Sequence, residues 1–284
     1  MSSASFALSA FGDEIDPDLE TQLRVLRDLR IGRLDLRGAW GTNVLDLTDE
    51  QASAVHRMCG EYGIEISCLG SPIGKSPILE PIGKEAANLA RLFEIGRAVG
   101  ARRIRVFSFY PPDTSCNTGY DAYVPLSADR LAHLTKMAAA EGFLLLLENE
   151  KDIVTDTPER CHAVLQIAGS ADLRFIWDPA NFVQVGVARP MTTGWELLRP
   201  YVSHVHIKDA VLADGSVRPA GLGDGQVREL LSGLRDMGYQ GELALEPHLA
   251  FAGPSGGASG PEGMAIAAAA LRKLMVETGC EERL

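Results

Sequence analysis

The sequence predicts an α/β protein, a (β/α)8 TIM barrel formed by a single domain over residues 1–284. Three observations predict this fold. Short apolar runs alternate with longer segments of helical spacing, which is the pattern of a parallel sheet with right-handed crossovers. Eight apolar runs are present, and their starts recur about every 25–40 residues, which suits one βα unit. The 284 residues are also close to the roughly 250 that such a barrel commonly needs.

The eight predicted strands are short apolar runs, most of which end in polar residues. They cover residues 6–11, 33–37, 65–69, 103–108, 143–149, 174–178, 202–208 and 242–247. An open doubly wound sheet is the alternative to a closed barrel. Its usual GxGxxG fingerprint is absent after the first strand, where the chain reads FGDE, and no GxxxxGK[ST] loop is present.

The predicted helices lie between these runs. In the first, Leu19, Leu23 and Leu26 fall on one stripe. Thr48, with Gln51 three residues later, has the spacing of a capping box at a helix start. Gly63 and Gly142 are at positions typical of helix C-terminal stops. The helical segments are 17–29, one beginning near residue 48, 81–99, 127–140, 157–167, 195–198, 226–237 and 261–276.

Composition and charge exclude several classes of protein. Apolar residues make up 46% of the chain and charged residues 23%, as in ordinary globular proteins. The net charge of −11 repels a phosphate backbone, so we expect no nucleic-acid partner. No run approaches the ~18 consecutive apolar residues of a membrane span, and residues 1–10 do not resemble a signal peptide. Five cysteines without a CxxC pair predict reduced thiols, so we expect a cytoplasmic protein.

Four consecutive predicted strands, the fifth to the eighth, end in a group that can bind a metal ion. The fifth ends at Glu148, the sixth at Asp178, the seventh contains His204 and His206, and the eighth ends near Glu246. In a closed parallel barrel the active site lies at the carboxyl ends of the strands. One carboxylate at a strand end is more often a helix N-cap or a solvated charge. The recurrence in four consecutive units favours a functional site.

Strand alternation places these groups on one face. His204, His206 and Lys208 share a face of the seventh strand, and Glu246 shares a face with the small Ala244. Converging buried carboxylates repel each other unless a cation lies between them. Three carboxylates and one imidazole favour Mn²⁺ or Mg²⁺, with Co²⁺ and Fe²⁺ as alternatives.

Four motifs in this order, LLLLENE, WDPANF, HVHIKDA and ALEPH, resemble the sugar phosphate isomerase/epimerase family, which has a xylose-isomerase-like TIM barrel. That family includes hydroxypyruvate isomerases, ketose 3-epimerases, inosose-processing enzymes and, more distantly, metal-dependent apurinic endonucleases. The resemblance covers nearly the whole chain. Its motifs are specific for the superfamily but do not select a substrate.

The resemblance implies one divalent metal ion, most often Mn²⁺, held by Glu148, Asp178, His206 and Glu246. The second histidine of HVH is the ligand by analogy, which leaves His204 deeper in the barrel. In the isomerases and epimerases the two glutamates also remove and return the substrate proton, so Glu148 and Glu246 are the expected catalytic residues.

Two departures from the family pattern bear on the substrate. Many members have histidine where this chain has Asn181, and many ketose 3-epimerases have arginine where it has Leu212. Both differences argue against a ketose 3-epimerase or a hydroxypyruvate isomerase. The endonucleases need more histidines for a multi-metal site, and this chain has six.

The expected reaction is proton transfer α to a sugar carbonyl. A cation that chelates the carbonyl and the adjacent hydroxyl stabilises the enediolate, and a carboxylate removes the proton. Return of the proton gives isomerisation or epimerisation. Loss of a β leaving group would make the same site a lyase or dehydratase on a keto-sugar, keto-glycoside or cyclitol. A non-catalytic barrel that binds a sugar or a partner is a further alternative.

Other polar residues near the strand ends are candidates for binding a small carbohydrate. They are Glu14, Arg37, Lys75, Ser108, Asn181, Lys208 and His248. For Arg37, a salt bridge beneath a loop is an equally good interpretation. Residues 110–125 form a long polar segment that is a candidate lid. A homo-oligomer remains open, and no membrane partner is expected.

Overall fold

The computed structural model describes residues 4–112, 117–248 and 260–283, in which eight parallel strands close into a barrel. Neighbours around the barrel follow chain order, and the eighth strand pairs with the first. The predicted (β/α)8 TIM barrel is therefore confirmed. The strands are β1 (Ser5–Phe11), β2 (Arg33–Leu36), β3 (Glu65–Leu69), β4 (Arg103–Val106), β5 (Leu144–Glu148), β6 (Leu173–Trp177), β7 (Val202–Ile207) and β8 (Glu242–Leu245).

Helices surround the barrel and connect its strands. They are α1 (Leu19–Asp28), α2 (Asp49–Tyr62), α3 (Gly83–Val99), α4 (Val124–Ala140), α5 (Pro158–Ala168), α6 (Pro179–Gln184), α7 (Pro190–Leu198), α8 (Val227–Asp236) and α9 (Gly260–Glu277). The predicted capping box at Thr48 and Gln51 is confirmed, and Gly63 ends α2 with a positive φ of 67°. The short α6 was not predicted, since its six residues are too few to show a helical period. A further strand, β9 (Glu281–Arg283), pairs with the start of β1.

Alternation along the strands separates a helix-facing layer from the barrel interior. On β7, Val205 and Ile207 belong to the apolar core, whereas His204 and His206 contact carboxylates from other strands. Ala244 of β8 lies directly beside His206 in the sheet register. Its small side chain leaves space in the interior for the imidazole.

The loop that follows β7 is organised around one buried carboxylate. Asp209 accepts hydrogen bonds from the backbone N–H groups of Ala210, Gly221, Gly223 and Gly225 over 2.8–3.0 Å. A Cβ at Gly223 would lie 2.4 Å from the carbonyl oxygen of Ala210 and 2.5 Å from the Asp209 carboxylate. Glycine is therefore required there, because the backbone approaches the carboxylate too closely for any side chain.

The other sequence expectations concern cysteines, membranes and the candidate lid. Cys59, Cys68, Cys161 and Cys280 are buried free thiols. Among the described residues, no helix combines the length and apolar character needed to cross a membrane. Cys116 and part of the candidate lid, residues 113–116, lie outside the described residues. The rest of that segment includes a 3-10 helix, Asn117–Tyr123, that leads into α4.

Candidate metal centre and active site

The four predicted metal ligands lie together at the carboxyl end of the barrel. Glu148 ends β5, Asp178 follows β6, His206 is near the end of β7, and Glu246 follows β8. All four are buried, and one ligand atom from each lies within 4.8 Å of the others. We call these four residues the mouth cluster.

His206 presents one ring nitrogen to the carboxylates of the mouth cluster. Its Nδ1 is 2.7 Å from Glu148 Oε1 and 3.8 Å from Glu246 Oε2. Its Nε2 has no hydrogen-bond partner among the described residues, and Asp35 Oδ2 lies 3.8 Å away. The edge-to-face contact with the Phe11 ring helps to hold the imidazole in this orientation.

Asp178 is both a helix N-cap and a member of the cluster. Its Oδ1 accepts a hydrogen bond from the backbone N–H of Asn181 at the start of α6. Its Oδ2 lies 2.9 Å from Lys208 Nζ. Asn149 holds the backbone of Asp178 through two hydrogen bonds of 2.9 and 3.0 Å. Burial raises the pKa of Asp178 to about 7, although the Lys208 ammonium acts in the opposite direction.

Glu246 is held by cations on both of its oxygens. Lys208 Nζ donates to Oε2 over 2.8 Å, and Arg37 Nη1 donates to Oε1 over 2.7 Å. Burial alone would raise the pKa of Glu246, but Lys208, His248 and Arg37 hold that pKa well below its usual range. The carboxylate is therefore ionised at neutral pH.

Glu148 is ionised for a similar reason. Burial would raise its pKa, but the His206 imidazole and the Arg105 guanidinium lower it to about 2. Arg105 Nη1 donates to Glu148 Oε2 over 3.2 Å. The amide of Asn181 lies 3.5 Å from Oε1, so Asn181 contacts a proposed ligand.

The donor set of the mouth cluster fits a divalent cation. Three buried carboxylates and one imidazole converge, and among the described residues Asp178 Oδ2 has the Lys208 ammonium 2.9 Å away but no partner in hydrogen-bond geometry. Oxygen-rich sets of this kind suit Mn²⁺ or Mg²⁺ more than structural zinc. A cation among these oxygens would relieve the repulsion between the carboxylates.

Five of the predicted substrate-binding residues adjoin the mouth cluster. Arg37, Asn181 and Lys208 contact its members directly. His248 Nε2 lies 4.0 Å from Glu246, and its Nδ1 lies 3.2 Å from Glu14. Glu14 also accepts a 2.6 Å hydrogen bond from Arg37. These residues form a polar rim around the cluster.

Lys75 and Ser108 are placed differently. Lys75 pairs with Glu150 at 3.2 Å, with its ammonium over the Phe107 ring. Ser108 is buried, and its Oγ accepts hydrogen bonds from the backbone N–H and the hydroxyl of Thr155. Within the described residues, no hydrogen bond or ion pair joins either side chain to the mouth cluster.

The sequence analysis did not identify Arg105 as part of the site. Arg105 is buried on β4 and touches Glu148. The signal was present in the RIRV run, where Arg103 and Arg105 occupy the same face of an otherwise apolar strand. Charged residues at alternating positions of a barrel strand point into the barrel rather than toward the helices.

A second charge cluster lies deeper in the barrel, around the buried side chains of Asp35, His204 and Glu242. We call Arg33, Asp35, Arg103, His204 and Glu242 the basal cluster. Glu242 accepts hydrogen bonds from both Arg33 and Arg103, and His204 Nε2 lies 2.7 Å from Asp35 Oδ2. Burial works against the charged form of His204, but Asp35 raises its pKa to about 9. His204 is thus deeper in the barrel than His206, as expected.

This geometry defines a TIM barrel with a carboxylate–histidine cluster at its mouth. The profile of the family described as xylose isomerase-like TIM barrel matches residues 33–274. The chain therefore belongs to the xylose isomerase-like TIM barrel family, and the recognised resemblance is confirmed. No curated protein matches the chain.

Three solved structures illustrate the range of proteins with this fold. The D-psicose 3-epimerase of Clostridium cellulolyticum H10 is 15% identical, with a TM-score of 0.73 over 97% of this chain and 100% of that chain. The probable 3-DHS dehydratase AsbF of Bacillus anthracis is 16% identical, with a TM-score of 0.74 over 94% and 98%. A Mycobacterium smegmatis barrel protein in complex with magnesium is 18% identical, with a TM-score of 0.69 over 98% of both chains. At these identities the likeness shows the fold alone.

Proposed function

We propose that the chain is a divalent-metal-dependent isomerase or epimerase of a sugar or sugar derivative, acting by proton transfer α to a carbonyl. The observation that carries this proposal is the mouth cluster, in which Glu148 and Glu246 converge with Asp178 and His206. Glu148 is the last residue of β5 and Glu246 follows β8, so the two glutamates reach a common substrate from separate parts of the barrel wall.

Glu148 and Glu246 are the proposed proton carriers. Both have a pKa below the usual glutamate range, so both are ionised at neutral pH and can accept a proton. One glutamate removes the proton next to the carbonyl, and a proton is returned to the intermediate either by that glutamate, which now carries it, or by the other glutamate after it has taken a proton from water. General acid–base groups of this kind typically accelerate a reaction by about 10²–10⁴-fold.

Glu148, Asp178, His206 and Glu246 would hold one divalent ion, with Mn²⁺ as the first expectation and Mg²⁺, Co²⁺ or Fe²⁺ as alternatives. When bound, such an ion supplies Lewis acidity that polarises the substrate carbonyl. Asn149 fixes the backbone of Asp178, and Arg105 fixes Glu148, so the ligands are preorganised.

The polar rim is proposed to bind the hydroxyl groups of a small carbohydrate. Lys208 has three ammonium hydrogens and two carboxylate contacts, so one hydrogen can face a hydroxyl. The remaining rim residues present further donors and acceptors. We retain Lys75 and Ser108 as proposed contacts at a greater distance from the cluster. The proposed contacts are Glu14, Arg37, Lys75, Ser108, Asn181, Lys208 and His248.

A lyase or dehydratase on a keto-sugar, keto-glycoside or cyclitol is the second candidate function. It needs the same abstraction of an α proton but no return of a proton. The probable 3-DHS dehydratase has a similar fold, which makes elimination a reaction to be tested for this chain. A single essential glutamate would favour it over isomerisation.

Proton–deuterium exchange in D₂O tests the proposed function. Mn²⁺-loaded protein is incubated with ketoses, keto-glycosides and inososes, and the α position is followed by NMR. Exchange together with formation of an isomer supports the proposal. Exchange followed by elimination favours the lyase. A complete lack of exchange across the panel by metal-replete protein contradicts both and favours a non-catalytic barrel.

A further inference from the structure

The cations in direct contact with the mouth cluster bear on the charge of the substrate. Three lysine or arginine side chains make such a contact among the described residues: Arg37, Arg105 and Lys208. The His248 imidazole lies farther away, with Nε2 4.0 Å from Glu246 and Nδ1 3.2 Å from Glu14. A phosphate or carboxylate on a substrate normally needs a cation whose charge is available to it. The partners of these three side chains therefore show whether the site can accept an anion.

Arg37 is occupied by carboxylates on every side of its guanidinium. Its Nε donates to Asp13 over 2.7 Å, its Nη1 to Glu246 over 2.7 Å, and its Nη2 to Glu14 over 2.6 Å. The Phe11 ring covers its face, with the guanidinium carbon 4.7 Å from the ring centroid. Three anions thus share one positive charge, and each of the three guanidinium nitrogens already has a carboxylate partner.

Arg105 and Lys208 are similarly engaged. Arg105 uses its three nitrogens on Glu148 and on the carbonyl oxygens of Gly70 and Ser71. Lys208 lies within 2.9 Å of two carboxylates, those of Asp178 and Glu246. Both side chains are nearly buried, with 7% and 6% of their surface exposed, so neither can turn outward to follow a substrate.

The formal charges around the cluster balance with a metal ion but not with an anion. The three cations face five carboxylates, those of Asp13, Glu14, Glu148, Asp178 and Glu246. A metal ion binds these carboxylates in their ionised form. With all five ionised, the excess is two negative charges, which one divalent cation neutralises. An anionic substrate group would restore a negative excess in a buried site, and such an uncompensated charge is costly.

The rest of the chain does not change this balance. The segments outside the described residues, 1–3, 113–116, 249–259 and 284, contain no lysine or arginine. The cations of the nearby loops that follow β5, β6 and β7, namely Lys151, Arg189 and Arg218, are exposed to solvent. The Lys75 ammonium already pairs with the Glu150 carboxylate, 3.2 Å away.

We infer that the substrate is an uncharged polyhydroxy carbonyl compound, without a phosphate or carboxylate group next to the mouth cluster. This inference rests on the proposed function and narrows its substrate class. Hydroxyl groups suit the site because they can donate to the carboxylates and accept from the remaining hydrogen of the Lys208 ammonium.

Matched pairs of sugars test the inference. The Mn²⁺-loaded protein is given D-fructose or D-fructose 6-phosphate, D-xylulose or D-xylulose 5-phosphate, and an inosose or its phosphate ester, and exchange in D₂O is measured. We expect kcat/KM for each ester to be at least about 100-fold below that of its parent. A phosphate ester that matches or exceeds its parent overturns the inference and leaves the proposed function intact. No exchange with any member of any pair counts against the proposed function itself.

A charge variant gives a second readout that does not depend on turnover. Asp13→Asn removes one carboxylate from Arg37, and Asp152→Asn makes the same change at an exposed position after β5. Calorimetric titration of the unaltered Mn²⁺-loaded protein with inorganic phosphate should show no saturable binding up to about 1 mM. The free energy of phosphate binding is then weaker than about −4 kcal/mol. Asp13→Asn should bind phosphate at least about tenfold more tightly than Asp152→Asn. Submillimolar phosphate binding by the unaltered protein would overturn the inference.

Discussion

The barrel interior contains two clusters of buried carboxylates that differ in their balance of charge. In the basal cluster, Glu242 is held by two arginines and Asp35 by His204, so each carboxylate has a cation of its own. Around the mouth cluster, five carboxylates share three cations. The carboxylates of the basal cluster are therefore fully paired, whereas those around the mouth cluster keep a negative excess that another cation can neutralise.

The comparison shows why buried charge alone does not identify an active site. Both clusters have carboxylates whose pKa is lowered by neighbouring cations, with the pKa of Glu242 at about 2. Only the mouth cluster contains a carboxylate whose pKa is raised, that of Asp178, at about 7, with burial as the main cause. A charge excess together with an incompletely compensated carboxylate points to a site that binds something.

The largest expected difference between the clusters is in activity. Glu148→Gln and Glu246→Gln should each lower kcat by at least about 10²–10⁴-fold, or roughly 3–5 kcal/mol of barrier, because each removes a proton carrier. Exchange of the α proton and the metal content of each variant are measured together. Near-normal activity of both metal-replete variants would disprove the paired-glutamate mechanism. If only one glutamate matters, elimination becomes the better interpretation.

The corresponding substitution in the basal cluster, Glu242→Gln, should lower the stability of the protein and not its activity. In the folded protein Glu242 has a pKa of about 2, below its usual 4.5, because Arg103 and His204 outweigh burial. The ionised Glu242 adds about 3 kcal/mol to the free energy of unfolding above pH ~4.5, and this contribution is lost as the pH falls toward 2. Urea unfolding of Glu242→Gln at pH 7, 5 and 3 should therefore show a gap to the unaltered protein that narrows with acid.

The control for this experiment is Glu65→Gln, since Glu65 also pairs with Arg33 but its side chain is 79% exposed. We expect a change below about 0.5 kcal/mol at every pH. A gap for Glu242→Gln that stays constant from pH 7 to pH 3 would be evidence against the proposed role of its ion pairs.

Metal binding should stabilise the protein through the mouth cluster alone. Mn²⁺ at 100 times its Kd should raise the free energy of unfolding by about 2.7 kcal/mol. Asp178→Asn should lose most of this gain, whereas Glu242→Gln should keep it. The measurement is a thermal unfolding series across Mn²⁺ concentrations. An equal gain in Asp178→Asn would show that the metal binds elsewhere.

The smallest effect is expected at the ion pair of Lys75 and Glu150, outside both clusters. The Lys75 side chain is 33% exposed and that of Glu150 19%, whereas the Glu242 side chain of the basal cluster is 2% exposed. A double-mutant cycle with Lys75→Met and Glu150→Gln should give a coupling of about 0.2–1 kcal/mol in stability. A coupling well above about 2 kcal/mol would mean that this pair behaves like the ion pairs of the buried carboxylates.

The barrel and the mouth cluster could be predicted because their signals are local. Alternation within β7 and a polar residue at each of four strand ends can be found within a few residues of sequence. The partners of those residues could not be predicted in this way. His204 and Asp35 are 169 residues apart, and Arg37 and Glu246 are 209 apart. Such pairs exist only after the barrel closes.

Arg37 illustrates the limit most clearly. Its position at the end of β2 predicted a polar contact, and the sequence left a substrate contact and a salt bridge equally open. The structure shows three salt bridges, to Asp13, Glu14 and Glu246. Whether Arg37 contacts a substrate or forms salt bridges depends on the number of carboxylates near it. Those carboxylates come from the ends of separate strands, so their number is a property of the tertiary structure.

The carboxylate of Asp209 limits how the loop after β7 can be redesigned. Four backbone N–H groups converge on this one side chain, and three of them belong to glycines spaced two residues apart, the last being Gly225. The same loop is tied further by the pairing of Asp209–Ala210 with Val217–Arg218 and by a 3.0 Å hydrogen bond from the Gln184 amide to the Gly215 carbonyl. A designer who wishes to vary this loop should therefore keep the glycines and the strand pair and change the exposed turn at Leu212 and Ala213.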